Sequence, residues 1–449
     1  MRKYLVLISL LLIVPALLFA GAEPEEDTAA SGEFTIYEGQ PLRIQAVEAI
    51  VPAIEENLGI KINIIQGPNT GADYETKIIT TFQGGQGYDI FRSTGEEDPD
   101  YIASGFPLDI TDRLEAWDDW NNQFYQSAKD YAREVGSGRV YGVPVHAGAL
   151  SLWYRRDRLQ EAGVSEEQPR TWKELVEKAI EVRDNSGAEY GLMLPMGNIW
   201  GGGPWGEGFK QFLMGSSTPY ITDDQGRVVA QSKGLLEVFQ LYEEIVANNL
   251  FFIDAMLAPL PHVIPKYQQF PEGVLAMETQ GTHGWRFDYG PEGATPMPDI
   301  QEVVGTWAFP TVDGVRDPYL FGGYNFQYMI GSTTDDQDLA FEVLKYLVSA
   351  EQLGRYALAV GSVSPRKDSR NAFAEYGANI QLMKEEDRLN SLVSFPPFAG
   401  ESAVVLAVAT ATERLLLGFS AEEALTAYTN MIRQAFRRNK EGIVLLPLD

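Results

Sequence analysis

The chain has 449 residues, 45% hydrophobic and 22% charged, a globular composition with length enough for two domains of about 150–200 residues each. Sixty-three acidic against 35 basic side chains give a formal charge of −28, a field that repels phosphate backbones and anionic headgroups and argues against nucleic acid as a partner. There is no cysteine, hence no disulfide, thiolate nucleophile or iron–sulfur cluster, and His146, His262 and His283 lie far apart without metal-ligand spacing, so no metal or cofactor is expected.

A basic start, an apolar run from Tyr4 to Phe19 and the small residues Ala20-Gly21-Ala22 read as a signal peptide over 1–22. The acidic stretch 23–32 reads as a flexible tether. The expected location is the periplasm or the cell exterior, with membrane association through an uncleaved N-terminus as the alternative. Next, "EFTIYEG" predicts a strand, "IQAVEAIVPAIEENLGI" an amphipathic helix interrupted near Pro52, and "KINIIQG" a second strand. "YETKIITTFQGGQGYDIFRSTG" predicts a helix, a glycine-rich turn and a third strand ending at Arg92. Strands alternating with helices predict a parallel sheet and an α/β class, in which ligands bind beyond the carboxyl ends of the strands. Those ends carry Tyr37 and Glu38, the turn with Asn69, and the run with Glu96, Glu97 and Asp98.

Downstream, "GNIWGGGPWGEGF" sets Trp200 and Trp205 on backbone that suits neither helix nor strand, with Glu207 beside them. "RTWKELVEKAIEVRDNSG" predicts a helix capped by Thr171, with Glu174 reaching back and Trp172, Leu175, Val176, Ala179 and Ile180 on the buried stripe. "TTDDQDLAFEVLKYLVS" is a helix with Ala340, Val343, Leu344 and Leu347 on one face, and Ser420 with Glu423 forms a second capping box near the end.

The order of further pieces resembles the extracellular solute-binding proteins of ABC transporters, in the carbohydrate-binding family that includes maltodextrin-binding proteins. The resemblance runs over about residues 33–436 and rests on "YDIFRS", "YIASGFPLDITDRL", "GRVYGVPVHAGALSLWYRRDRLQEAGV", "RTWKELVEKA", "EGVLAMETQGTHGW" and "GSVSPRKDS" in that order. It departs from the family in lacking a tryptophan after the first strand and a lipobox cysteine at "LLFAGA". The resemblance implies two α/β lobes of a periplasmic-binding-protein fold, a type II-like hinged clamp joined by two or three crossings. Residues 33–145 plus 305–350 would form the N-terminal lobe, and 150–304 plus 351–449 the C-terminal lobe. It also implies capture of a small-molecule solute, a sugar or oligosaccharide, and delivery to the membrane permease subunits of an importer by a monomer.

Sugars suit these residues: indole and phenol rings stack on the apolar faces of a pyranose, while carboxylates, amides and guanidinium groups meet its hydroxyl rim. Trp285, closing the Ala-Met-Gly-Trp turn, is the first stacking candidate on the resemblance. Trp200, Trp205, Glu207, Tyr324, Asn325, Glu96, Asp98, Asn69 and Tyr37 are further candidates. Arg366 matches the family's arginine and serves either as a ligand donor or as a structural ion pair, while Trp153 and Trp172 read as core. Rivals stay on the page. A polyamine or other small polar solute would suit acidic clusters with aromatic walls. An anionic cargo would want several cleft arginines, where only Arg92, Arg286 and Arg366 look available. An exported glycoside hydrolase would need two carboxylates at a fixed separation. No nucleophile elbow, metal cluster or phosphate loop supports an enzyme.

Overall fold

The computed structural model describes residues 33–68, 72–93, 98–134, 137–291, 293–395 and 398–448. The signal peptide and tether expected over 1–32, together with Asn69 and Glu96, lie outside the described residues.

The fold opens on three parallel strands. β1 (Phe34–Glu38) lies between β2 (Ile62–Gln66) and β3 (Ile90–Ser93), with Ile36 opposite Ile64 on one side and Ile90 on the other. The crossover from β1 to β2 carries α1 (Pro41–Glu48) and α2 (Val51–Leu58). Gln40 caps α1 by accepting from the Arg43 backbone N–H at 2.9 Å, and Pro41 occupies the first turn, where a missing N–H costs nothing. The expected interruption is present: Pro52 stands in the first turn of α2, and Ala49-Ile50 separate the two helices. The first helix starts sooner than the apolar pattern predicts because the proline and the glutamine cap, rather than a buried stripe, begin it. α3 (Ala72–Gln83) then crosses to β3.

Two long strands carry the chain between lobes. β4 (Gly142–Arg155) is followed by β5 (Val228–Gln231), β6 (Met277–Gly281), β7 (Val304–Trp307), β8 (Leu320–Ile330), β9 (Leu392–Val393) and β10 (Ile443–Leu445). The main sheet runs β2-β1-β3-β8-β4-β6, with β7 on β4 and β9 on β8, while β10 and β5 pair separately. The first half of β4 pairs with the end of β8, Val143 opposite Tyr328, inside the first lobe. Its second half pairs with β6 and β7, Leu152 opposite Thr279 and Trp307, inside the second.

Two large cores follow from this division. Ile36, Val47, Ile90, Leu114, Trp120, Val143, Tyr328 and Leu344 are among the side chains of the first. Trp153, Trp172, Leu175, Phe212, Phe239, Met277, Trp307 and Tyr428 are among those of the second. The expected boundaries need correction on this packing. Val304, Trp307, Phe309, Tyr319 and Phe321 pack in the second core, whereas Leu353, Tyr356 and Val360 pack in the first. The physical reason is that the helix Ala350–Val360 presents an apolar face to the first core, and β7 is zipped to β4 beyond the crossing.

The local signals hold with one difference. Ser420 and Glu423 form the full capping box on Ala421–Ala435. On Trp172–Asn185, Thr171 accepts from the Glu174 N–H, but Glu174 reaches back one residue farther, to the Arg170 N–H at 2.7 Å. Val182 completes the buried stripe where Ile180 was expected, Ile180 being half-buried.

Candidate functional site

Three stretches meet side by side at one level of the molecule. The register of β4 against β8 slips between Pro144 and His146 and again between His146 and Gly148. At the same level Ala147 forms a bridge with Val363, N–H to carbonyl at 2.8 and 3.1 Å in the two directions. Gly322 packs so closely on Gly148 that a Cβ would stand 2.0 Å from the Gly148 carbonyl oxygen. Interrupted ladders and glycine contacts concentrate bending here, which is where a hinge belongs.

On the first-lobe side, the carboxyl ends of β1 and β3 meet these crossing strands. Glu38 and Arg92 form a fully buried ion pair, Nε to Oε1 at 2.7 Å, and Glu38 Oε1 also accepts from the Gly39 N–H at 2.8 Å. Both the Arg92 and Arg43 guanidinium groups lie over the ring of Phe326, at 4.7 and 4.1 Å from its centroid. His146 packs between Phe326 and Tyr356; burial, then the charges of Arg43 and Arg92, hold its imidazole well below the usual histidine range and so neutral. Around this group several buried polar atoms have no hydrogen-bond partner among the described residues: Glu38 Oε2, Arg43 Nε and Nη1, Arg92 Nη2, Ser93 Oγ, His146 Nδ1, Gln327 Oε1, and the hydroxyls of Tyr328 and Tyr356. A buried polar atom left unmatched costs about 1–3 kcal/mol, and nine of them lie around this one group.

On the second-lobe side, three single-turn π-helices, Trp205–Phe209, Pro265–Gln269 and Trp285–Tyr289, converge on β6. Such bulged turns recur at functional sites because they re-aim side chains out of helical register. Here they supply a charged network. Lys266 donates to Glu207 at 2.6 Å, Tyr267 to Asp288 at 3.1 Å, Gln280 to Asp288 at 3.0 Å, Tyr289 to Glu278, and Thr279 to the Glu207 carbonyl. Burial pushes the Glu278 carboxyl up to about 8 against the pull of Lys266. Burial lowers Lys266, but Glu207 and Glu278 outweigh it and leave the ammonium above its ordinary value.

The expected site residues divide into those the protein itself occupies and those left available. Trp205 is 3% exposed; its Nε1–H donates to Glu401 at 2.9 Å and its ring stacks on Phe395, so it seals the second core rather than lining a cleft. Tyr37 stands between Tyr74 and Tyr88 at 4.8 and 4.4 Å, both faces covered. Tyr324 is buried with its hydroxyl on Ser127 at 2.8 Å. Arg366 is clamped by Asp368 and Asp119 at 2.7 and 2.9 Å and donates to the Val348 carbonyl, which makes it a brace within the first lobe. In these four the ring faces or polar groups are already engaged within the protein. Glu207 is paired with Lys266, and Asp98 accepts from Gln327 at 2.6 Å. Asn325 lies in β8.

Trp200 and Trp285 are half-buried and each rests on the second core. Trp200 closes a short 3-10 turn with His262 at 6.1 Å, and a Cβ at Gly203 would collide with its indole, so glycine is required for the chain to pass over it. Trp285 also packs against the small cluster of Ala357, Tyr376 and Leu382, bridging the Ala350–Val360 helix and the second lobe. Arg43, Tyr328 and Tyr356, which belong to the first polar group, were not among the expected candidates. A surface depression of about 860 Å³ lies elsewhere, at the amino end of β1 between Phe34, Glu55 and Asp336, and touches neither polar group. Among the described residues no helix is long and apolar enough to cross a membrane, and no histidine–carboxylate group has the makings of a metal site.

Two α/β lobes joined at three side-by-side crossings have the architecture of a hinged clamp. The chain belongs to the bacterial extracellular solute-binding protein family, whose model matches residues 40–353. It is 26% identical over 254 residues to the periplasmic-binding protein YcjN of Escherichia coli, covering 56% of each chain. It is 25% identical over 281 residues to the arabinooligosaccharide-binding protein of Halalkalibacterium halodurans, covering 58% of this chain and 57% of that one. The chain thus spans little more than half the length of the curated relatives it matches. Among solved structures, the sugar-binding protein MalE of Xanthomonas citri superposes with a TM-score of 0.73 at 17% identity, covering 90% of this chain and 98% of that one. The cyclic alpha-maltosyl-1,6-maltose binding protein of Arthrobacter globiformis gives 0.67 at 19% identity, over 91% and 99%. At these identities the structural likeness speaks for the fold.

Proposed function

We propose that this protein captures a sugar or oligosaccharide between its lobes and presents it, by hinge closure, to the membrane permease of an ABC importer, as an exported monomer that alters no covalent bond of its cargo. The observation that carries this reading is the concentration of unmatched buried donors and acceptors from Glu38 to Tyr356, which is the complement a hydroxyl rim requires. Half-open Trp200 and Trp285 supply ring faces for the C–H side of a sugar. The sugar binding named for MalE and the arabinooligosaccharide named for the Halalkalibacterium protein support the same class of cargo. A polyamine fits poorly, because Arg43 places an unpaired positive charge where such a cargo would bring more.

The test is a thermal-shift and calorimetric screen of neutral and acidic saccharides against polyamines, with small-angle scattering on each hit. A saccharide that raises the melting temperature and compacts the particle is the expected result. Binding of polyamines alone would sink the reading. Labelled oligosaccharides incubated with the protein should be recovered intact; shortened products would overturn the binding-only assignment.

A further inference from the structure

Four arginines among the described residues are less than a tenth exposed: Arg43, Arg92, Arg155 and Arg366. Three of them have carboxylate partners: Arg92 with Glu38, Arg155 with Asp157, and Arg366 with Asp119 and Asp368. Arg43 has none. It is 8% exposed, and its Nε and Nη1 lack hydrogen-bond partners. Its position adds to the anomaly. It stands in the first turn of α1, just past the carboxyl end of β1, and lies over Phe326 and close to His146, both on the crossing strands where the hinge register slips.

Glu38 is engaged by Arg92 at 2.7 Å, His146 is held neutral by burial, and the Asp98 carboxylate accepts from Gln327 at 2.6 Å, so among the described residues no carboxylate pairs with Arg43. A desolvated guanidinium is strongly unfavourable without an anion, and contact with the face of Phe326 recovers only part of that loss. A charge so placed is stabilised when the closing cleft brings a partner of opposite sign.

We propose that the solute carries a carboxylate and that Arg43 receives it at the base of the cleft, so that the cargo is an acidic saccharide of the uronate class. This rests on the sugar-capture reading and narrows it. A carboxylate fits better than a phosphate. One unpaired guanidinium matches a single negative charge, and the unmatched Oε2 of Glu38 in the same group repels a dianion while accepting a sugar hydroxyl. The Tyr356 hydroxyl, which feels the charges of both Arg43 and Glu38, and the Ser93 hydroxyl are further donors in this group.

The experiment titrates the full chain calorimetrically with di- and trisaccharides of galacturonate and glucuronate. Their methyl esters, neutral maltose and arabinotriose, and glucose 6-phosphate are the other arms. An acid that binds about tenfold or more tighter than its own methyl ester supports the proposal. So does loss of that preference in Arg43→Gln, with Arg43→Lys restoring part of it. If Arg43→Gln does not fold, the acid-to-ester ratio of the wild type decides alone. Equal binding of acid and ester overturns the proposal, as does tighter binding of the sugar phosphate, or a folded Arg43→Gln that keeps the acid preference. Neutral sugars binding while acids fail overturns this inference and leaves sugar capture standing. Failure of every saccharide overturns both.

Discussion

In the first lobe Glu38 and Arg92 are paired, yet several buried polar atoms around them, on Arg43, Ser93, His146, Tyr328 and Tyr356 among others, have no partner among the described residues. In the second lobe Glu207, Lys266, Glu278, Asp288 and Gln280 are linked to one another through β6 and three π-turns. Both groups are buried and charged, so burial alone does not mark a binding surface. What separates them is whether the protein has already used its hydrogen-bonding capacity. The first group holds most of the unmatched atoms; the second is the more fully linked, although Glu278 Oε2 and Gln269 Oε1 are unmatched there too, and its network fixes the turns that carry Trp285 and Glu207. On the proposed reading, polar recognition belongs to the first lobe and ring stacking to the second, and closure is what brings both to one solute.

The sharpest break of this contrast is Glu38→Ala. It strands Arg92 without an anion inside the first lobe and is expected to cost about 3–5 kcal/mol in denaturant unfolding. Arg43, already unpaired, should behave oppositely: Arg43→Gln leaves unfolding within about 1 kcal/mol of wild type or improves it. If both substitutions destabilise alike, the two arginines are equivalent and the contrast between the two groups is a misreading.

The second lobe offers a pH test. Glu278, pushed up to about 8 by burial from an ordinary 4.5, binds its proton more tightly folded than unfolded. Its contribution is fully present below the unfolded value and is lost as pH rises through the folded one. Glu278→Gln mimics the neutral acid and has no proton to lose. Wild type and variant should melt together near about pH 4.5 and separate in the variant's favour, by an amount on the order of a few kcal/mol, by about pH 8–9. A constant offset across that range would show that Glu278 is ionised throughout. Lys266→Met should do less, about 2 kcal/mol of destabilisation, because Glu207 keeps about a third of its side chain in solvent and can recover hydration.

What the residues disclosed in one dimension was local. The capping box at Ser420 and the helix break near Pro52 need only neighbours a few residues away, and the parallel opening of the sheet follows from alternating patterns. The strand-end rule pointed to the end of β1 where the first polar group lies but could not choose its face. Side chains alternate, so Glu38 enters the polar group while Tyr37 turns into a stack of tyrosines. Arg43 gave no signal at all: within "PLRIQAV" it reads as a solvent residue of an amphipathic helix. Its lack of a partner depends on chain segments about 100, 280 and 310 residues away, at His146, Phe326 and Tyr356. Arg366 was ambiguous for the same reason, since Asp119, which settles its role, is 247 positions distant.

The two tryptophans of "GNIWGGGPWGEGF" give the smallest effects and the closest comparison, because they are five positions apart on one loop. Trp205→Phe keeps a ring for Phe395 but removes the indole N–H that Glu401 accepts, for about 1 kcal/mol of stability. Trp200→Phe loses no recorded hydrogen bond and should stay within about 0.5 kcal/mol. Binding should reverse the order. A phenyl at 200 offers a smaller stacking face and weakens saccharide affinity by about threefold to tenfold, whereas the change at 205 leaves affinity near wild type. Calorimetry on the two variants with one saccharide decides it: equal affinities would mean that the loop's open indole meets no solute, and that ring contact comes from Trp285 alone.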